Sequence, residues 1–114
     1  MKIYHNNRCR KSREALEILK KHKSPVTCVE YLKNPPSVQE LRQIIKMLNI
    51  SAVDLVRKSE KLYKEKFKNH EYTENEWLDI LSSNPILIQR PIIIKDNRAI
   101  LGRPPINVLD LLDI

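Results

Sequence analysis

Two proline breaks, at Ser24-Pro25 and at Asn34-Pro35-Pro36, constrain the fold of this chain more than any other feature. Proline has no backbone N–H and disfavours helix in the residue before it, so neither break fits inside a helix or a central strand. The segments between them differ in period. Met1-Lys2-Ile3-Tyr4 is short and alternating and reads as a first strand. From Arg10 onward, Ala15, Leu16 and Leu19 recur at helical spacing to about Lys21. Val26-Thr27-Cys28-Val29-Glu30-Tyr31-Leu32, rich in β-branched and aromatic residues, reads as a second strand. Together these segments make a βαβ unit. In open α/β sheets ligands gather outside the carboxyl ends of the strands, so the turn after the first strand is the expected site.

Beyond the second break the punctuation is helical. Ser37-x-x-Glu40 is a capping box that opens a helix with Val38, Leu41, Ile44, Ile45 and Leu48 on one face. Ser51 caps a short helix through Val56, and Thr73-x-x-Glu76 caps a third carrying Trp77, Ile80 and Leu81. The mostly polar stretch between them, Lys58 to Tyr72, reads as a loop with at most one helical turn. After Asn84-Pro85, Ile92 to Lys95 and Ala99 to Gly102 flank Asp96-Asn97-Arg98 as a hairpin. Arg103-Pro104-Pro105 then introduces a short terminal helix with Val108, Leu109, Leu111 and Leu112. The order βα-β-(helical insert)-ββα predicts an α/β chain of thioredoxin-like fold with a mixed four-stranded sheet. At 114 residues it predicts a single domain, 1–114, with a helical insertion at about 37–83.

The formal net charge of +7 favours an anionic partner, whether nucleic acid, an acidic protein surface or a small oxyanion. No nucleic-acid recognition motif is present, and aromatic residues, at 5%, are too sparse for a base-stacking face. Apolar runs such as Ile92-Ile93-Ile94 are far shorter than a membrane span, and the N-terminus lacks the apolar core of a signal peptide. A cytoplasmic protein with no membrane contact is expected. The two cysteines, Cys9 and Cys28, fit a reducing compartment better than a structural disulfide. With neither C-x-x-C nor Cys/His zinc spacing, no metal is expected.

Chemistry concentrates in Tyr4-His5-Asn6-Asn7-Arg8-Cys9-Arg10-Lys11-Ser12-Arg13. Cys9 is either a packed structural thiol or a reactive one. A strand-to-helix turn crowded with cations favours the second, because positive charge and a helix N-terminus stabilise a thiolate and attract an oxyanion. Ser12, three residues on, can donate to that thiolate or simply start the helix. His5 can support the site or serve as local polar surface. Cys28, with Val26 on its side of the second strand, reads as an ordinary packed cysteine. Arg57, Arg90 and Arg103 each stand at an element boundary beside apolar or proline residues. They are either surface charges or paired donors for a tetrahedral anion. Arg90-Pro91, just before a strand, is a candidate cis bond.

Four separated segments carry a family resemblance: Tyr4-His5-Asn6-x-x-Cys9-x-x-Ser12-Arg13, Tyr31-Leu32-x-x-Pro35-Pro36-Ser37, Leu55-Val56-Arg57-Lys58 and Asn84-Pro85-Ile86-Leu87-Ile88-x-Arg90-Pro91-Ile92. In this order they closely resemble the glutaredoxin-coupled arsenate reductases. The resemblance implies that Cys9 is the nucleophile, that His5 and Ser12 support its low pKa, and that Arg57, Arg90 and Arg103 bind the oxyanion. It further implies a Cys9 thioarsenate, with glutathione as co-substrate and glutaredoxin as partner. One protein cysteine needs an external thiol for a two-electron reduction, which agrees with the absence of C-x-x-C. The chain departs from the family pattern at Asn7, Arg10 and Lys11, where proline and a Gly-Thr pair are usual. Two cations would thus be added beside the anion pocket. Two alternatives stay open: a glutathione-dependent thiol oxidoreductase with another substrate, and a regulator resembling the Spx-like proteins that bind RNA polymerase.

Overall fold

The computed structural model describes residues 1–22 and 25–111. They form two compact units, Met1–Asn34 with Arg90–Ile114, and Pro35–Gln89.

The first unit is a four-stranded mixed sheet in the order β2-β1-β3-β4, built from β1 (Lys2–His5), β2 (Thr27–Glu30), β3 (Ile92–Lys95) and β4 (Arg98–Leu101). β1 runs parallel to β2 and antiparallel to β3, and β3 pairs antiparallel with β4. With α1 (Arg10–Lys21) crossing between β1 and β2, this is the expected thioredoxin-like arrangement. Ile3 and Ile93 are ladder partners and so project from the same face. Ala15 and Leu19, one helical turn apart on α1, cover them together with Val108 and Leu111. The last two come from a 3-10 segment, Pro105–Leu111, rather than an α-helix. Residues i and i+3 share a face in that geometry, which is why Val108 and Leu111 point inward together. The expected contribution of Leu112 lies outside the described residues. Burying a side chain such as Leu19 stabilises the fold by about 1.5–3 kcal/mol.

Two expectations change at β2. The strand stops at Glu30, whose carbonyl accepts from the N–H groups of both Lys33 and Asn34 at 3.0 Å. Tyr31 is thereby turned into the interior with no exposed surface, while Leu32 stays exposed. Cys28, expected to be packed, is exposed. It shares a face with Ile3, its ladder partner, but β2 is an edge strand, and the cover from α1 and the 3-10 segment is centred on β1 and β3. At the other edge, Asp96 takes the left-handed φ of 55° that closes the hairpin, so β4 begins at Arg98, one residue earlier than expected.

In the second unit, α2 (Val38–Leu48) is opened by the Ser37/Glu40 capping box and buries Leu41, Ile44 and Ile45. Ser51 precedes a 3-10 turn, Ala52–Leu55, and its N–H donates to Asp54 at 3.1 Å. The polar stretch holds one π-helical turn, Tyr63–Phe67. α3 (Glu74–Ser83) starts at the Thr73/Glu76 box and buries Trp77, Leu78 and Leu81. Leu78 takes the inner position expected of Ile80, because 77, 78 and 81 lie on one helical stripe. Val56 and Ile88 form an isolated antiparallel bridge. No helix among the described residues is long and apolar enough to cross a membrane.

Candidate active site

The topology of the first unit brings four chain segments to one end of its sheet. Cys9 follows the carboxyl end of β1, and Tyr31 follows that of β2, which is parallel to it. β3 runs antiparallel to β1, so Arg90, just before β3, lies at the same end. β4 turns back along β3, so Arg103, just after β4, returns there too. The sequence alone predicts only the first of these placements.

Cys9 is the N-cap of α1, with extended φ −92° and ψ 121°. Its N–H donates to the Asn6 carbonyl at 2.9 Å, and its own carbonyl accepts from Arg13 at 3.1 Å. A side chain at an N-cap faces the unpaired N–H groups of the first helical turn, and here it is a thiol instead of a hydroxyl. Partial burial pushes the Cys9 thiol up. The Ser12 N–H, the Arg90 guanidinium, the Lys11 N–H and the Ser12 hydroxyl act against it and together hold the thiol below its ordinary value. No acidic side chain in the first turn competes for those donors. Ser12 itself is fully buried, and its Oγ accepts from the Asn6 N–H at 3.5 Å. The Asn6 carboxamide oxygen in turn accepts from the Arg8 N–H at 3.0 Å, which closes the turn leading into Cys9.

Arg90 is 7% exposed, and the Arg90-Pro91 bond is cis, as the sequence suggested. Arg103-Pro104 is a second cis bond. The Arg103 guanidinium donates to the Arg90 carbonyl at 3.2 Å, which sets the two arginines side by side. Gly102, the chain's single glycine, makes this approach possible. A Cβ there would lie 2.8 Å from Pro91 Cγ and 3.1 Å from Ile93 Cδ1.

The remaining candidates are placed differently. His5 is buried on the α1 side of β1. Burial lowers its pKa, Glu30 acts against the shift, and Lys20 and Arg13 reinforce it. It is not among the groups that set the Cys9 thiol, and it lines a pocket with Asn6, Arg8, Glu30 and Lys33. Arg57 belongs to the second unit, where its guanidinium pairs with Glu60 at 3.2 Å and its N–H donates to the Leu87 carbonyl at 2.6 Å. Arg10, one of the two added cations, is turned to solvent and paired with Glu14 at 2.8 Å. Lys11 is exposed, and only its backbone acts on Cys9. Among the described residues no group of three or more His, Cys, Asp or Glu side chains could hold a metal ion.

Sequence reasoning missed Tyr31. Its burial pushes its hydroxyl up to about 12, with Arg90 acting against the shift and Cys9 reinforcing it. A large aromatic placed immediately before Leu32 and the Pro35-Pro36 break was the available signal, since the chain must turn there.

The profile of the ArsC family matches residues 4–111. The chain is 40% identical over 113 residues to the uncharacterized protein YfgD of Escherichia coli K12, covering 97% of this chain and 95% of the relative. It is 38% identical over 111 residues to the arsenate reductase of Acidiphilium multivorum, covering 96% and 79%. The solved structure of an arsenate reductase from Vibrio cholerae superposes with a TM-score of 0.90 at 35% identity, covering 96% of this chain and 97% of the other.

Proposed function

The chain belongs to the ArsC family, and from that premise we propose that it is an oxidoreductase that reduces arsenate to arsenite through Cys9, with glutathione and glutaredoxin as reductant. The observation that carries this reading is the set of donors around one thiol. Cys9 sits under the first N–H groups of α1 and beside the Arg90 guanidinium, with Arg103 braced against Arg90. That arrangement favours a thiolate and an incoming oxyanion at the same place.

The Cys9 thiolate attacks As(V), an S–As bond forms, and one As–O bond breaks with its oxygen leaving as water. The Arg90 and Arg103 guanidinium groups bind the remaining oxygens. The sulfur of glutathione then displaces a second arsenic-bound oxygen, which leaves as water with the thiol proton, so that arsenic carries both sulfurs. A glutaredoxin thiolate attacks that glutathione sulfur, the S–As electron pair passes to arsenic, and As(III) results with a mixed disulfide. Hydrolysis frees arsenite and Cys9. Overall, two thiols become one disulfide as arsenate becomes arsenite and water. One of these thiols is glutathione's and the other glutaredoxin's, and further glutathione reduces the mixed disulfide by thiol–disulfide exchange. His5, whose pKa burial lowers, lines a neighbouring pocket in its neutral form and adds no charge there. Arg57 is assigned as a third oxyanion-binding arginine on the resemblance of its segment, and Arg57→Lys tests it by the KM for arsenate.

Arsenite appearance, followed by chromatography with glutathione and glutaredoxin each omitted in turn, tests the reductant. Product only when both are present supports the reading. Equal product without glutaredoxin contradicts its place in the sequence. Exposure to arsenate without thiols should leave a thioarsenate mass on the Cys9 peptide, lost in Cys9→Ser.

A further inference from the structure

We infer that the Tyr31 hydroxyl is a further oxyanion-binding group, donating a hydrogen bond to an oxygen of the anion held beside Cys9 and Arg90. This rests on the oxyanion reading of that site.

Tyr31 stands immediately after an edge strand that exposes Thr27 and Cys28, yet it has no exposed surface. The double acceptance at the Glu30 carbonyl fixes the turn that carries it inward. Its hydroxyl, buried with it, meets no partner at hydrogen-bond geometry. Such groups in native proteins call for an explanation, because a buried polar atom without a partner is destabilising.

The neighbours show what kind of partner is missing. Arg90 and Asn6 lie close enough to act on the hydroxyl, and Cys9 is within electrostatic reach. A guanidinium has only donors, so it can serve the phenolic oxygen but cannot take the phenolic proton. Asn6 lowers the Tyr31 pKa, as a carboxamide N–H donor does, while its oxygen accepts from the Arg8 N–H, so Asn6 too serves the phenolic oxygen. The unmet need is therefore an acceptor for one proton, at a place lined by positive donors. An oxyanion meets that need. Because burial holds the group far above neutral pH, it keeps its proton to donate throughout the working range.

A donor kept for a ligand costs the empty protein stability, and that separates this role from a structural one. Tyr31→Phe is close to isosteric. The test follows alkylation of wild type and Tyr31→Phe by iodoacetamide, read at the Cys9 peptide by mass spectrometry, over a series of inorganic arsenate concentrations without reductant. The variant should need roughly 10- to 100-fold more arsenate for half-protection, the loss expected for a hydrogen bond to a charged group. Its Cys9 alkylation rate should keep the wild-type pH profile, and its melting temperature should be equal or higher. Equal protection of both proteins overturns the inference and leaves the oxyanion site standing. So does a variant whose Cys9 pH profile shifts upward, since the hydroxyl would then serve the thiolate. A wild type that arsenate does not protect overturns the site and this inference together.

Discussion

The Arg103 guanidinium donates to the backbone carbonyl of Arg90 at 3.2 Å, so the arginine just after β4 braces the one just before β3. This bond uses one of the five N–H donors of the guanidinium, and the proposed oxyanion binding draws on others. Lysine keeps the charge but not the planar fork. Arg103→Lys should therefore raise the KM for arsenate by roughly 10-fold, the loss of about 1.4 kcal/mol of binding. It should leave the Cys9 thiol pKa in place, because Arg103 is not among the groups that set it.

Arg90 does set it, as does Ser12. Removing Arg90 takes away a charged donor, whereas Ser12→Ala removes only the hydroxyl and leaves the more important Ser12 N–H. Both substitutions should raise the Cys9 pKa, with Arg90→Gln the larger. Ultraviolet absorbance of the thiolate during a pH titration measures it. A larger rise in Ser12→Ala would contradict the ordering.

His5 gives the fold a pH dependence on the acid side. Its folded pKa is lowered by burial, so the native state prefers the neutral ring. The corresponding stability is fully present above the ordinary value of about 6.5 and is lost as pH falls through the lowered folded value. Melting temperatures should fall between pH 7 and pH 5 in the wild type and fall less in His5→Gln. Parallel curves would exclude His5 as the source.

Gly102→Ala should destabilise the first unit by about 1–3 kcal/mol, because the new methyl group meets the Pro91 ring at 2.8 Å. A lower urea midpoint with an unchanged slope is the expected result. Displacing Pro91 also moves the backbone of Arg90, so turnover should fall at temperatures where the variant is folded.

Cys28→Ser should do neither. The residue is exposed on an edge strand, and surface substitutions of this kind stay within about 0.5 kcal/mol. Unchanged turnover would confirm that the second thiol takes no part in the chemistry.

Local patterns made the strand–helix–strand opening, both capping boxes and the hairpin legible, because caps, prolines and periodicity act over a few residues. Cys9 and Ser12 were legible for the same reason, being neighbours on one turn. Cys28 was not, since its exposure follows from β2 lying at the sheet edge, a property of strand order and not of any local pattern. By pattern Tyr31 belongs to a strand, and only the turn at Glu30 shows that it points inward. The pairing of Arg90 with Arg103 likewise depends on β3 and β4 returning to the end of the sheet where β1 leaves off.

Arsenate-dependent NADPH consumption, with glutathione, glutaredoxin and glutathione reductase present and arsenite confirmed as product, tests the central claim most directly. Wild type should turn over and folded Cys9→Ser should not. Turnover that survives in Cys9→Ser, or none in a wild type whose Cys9 ionises below its ordinary pKa, would contradict the account.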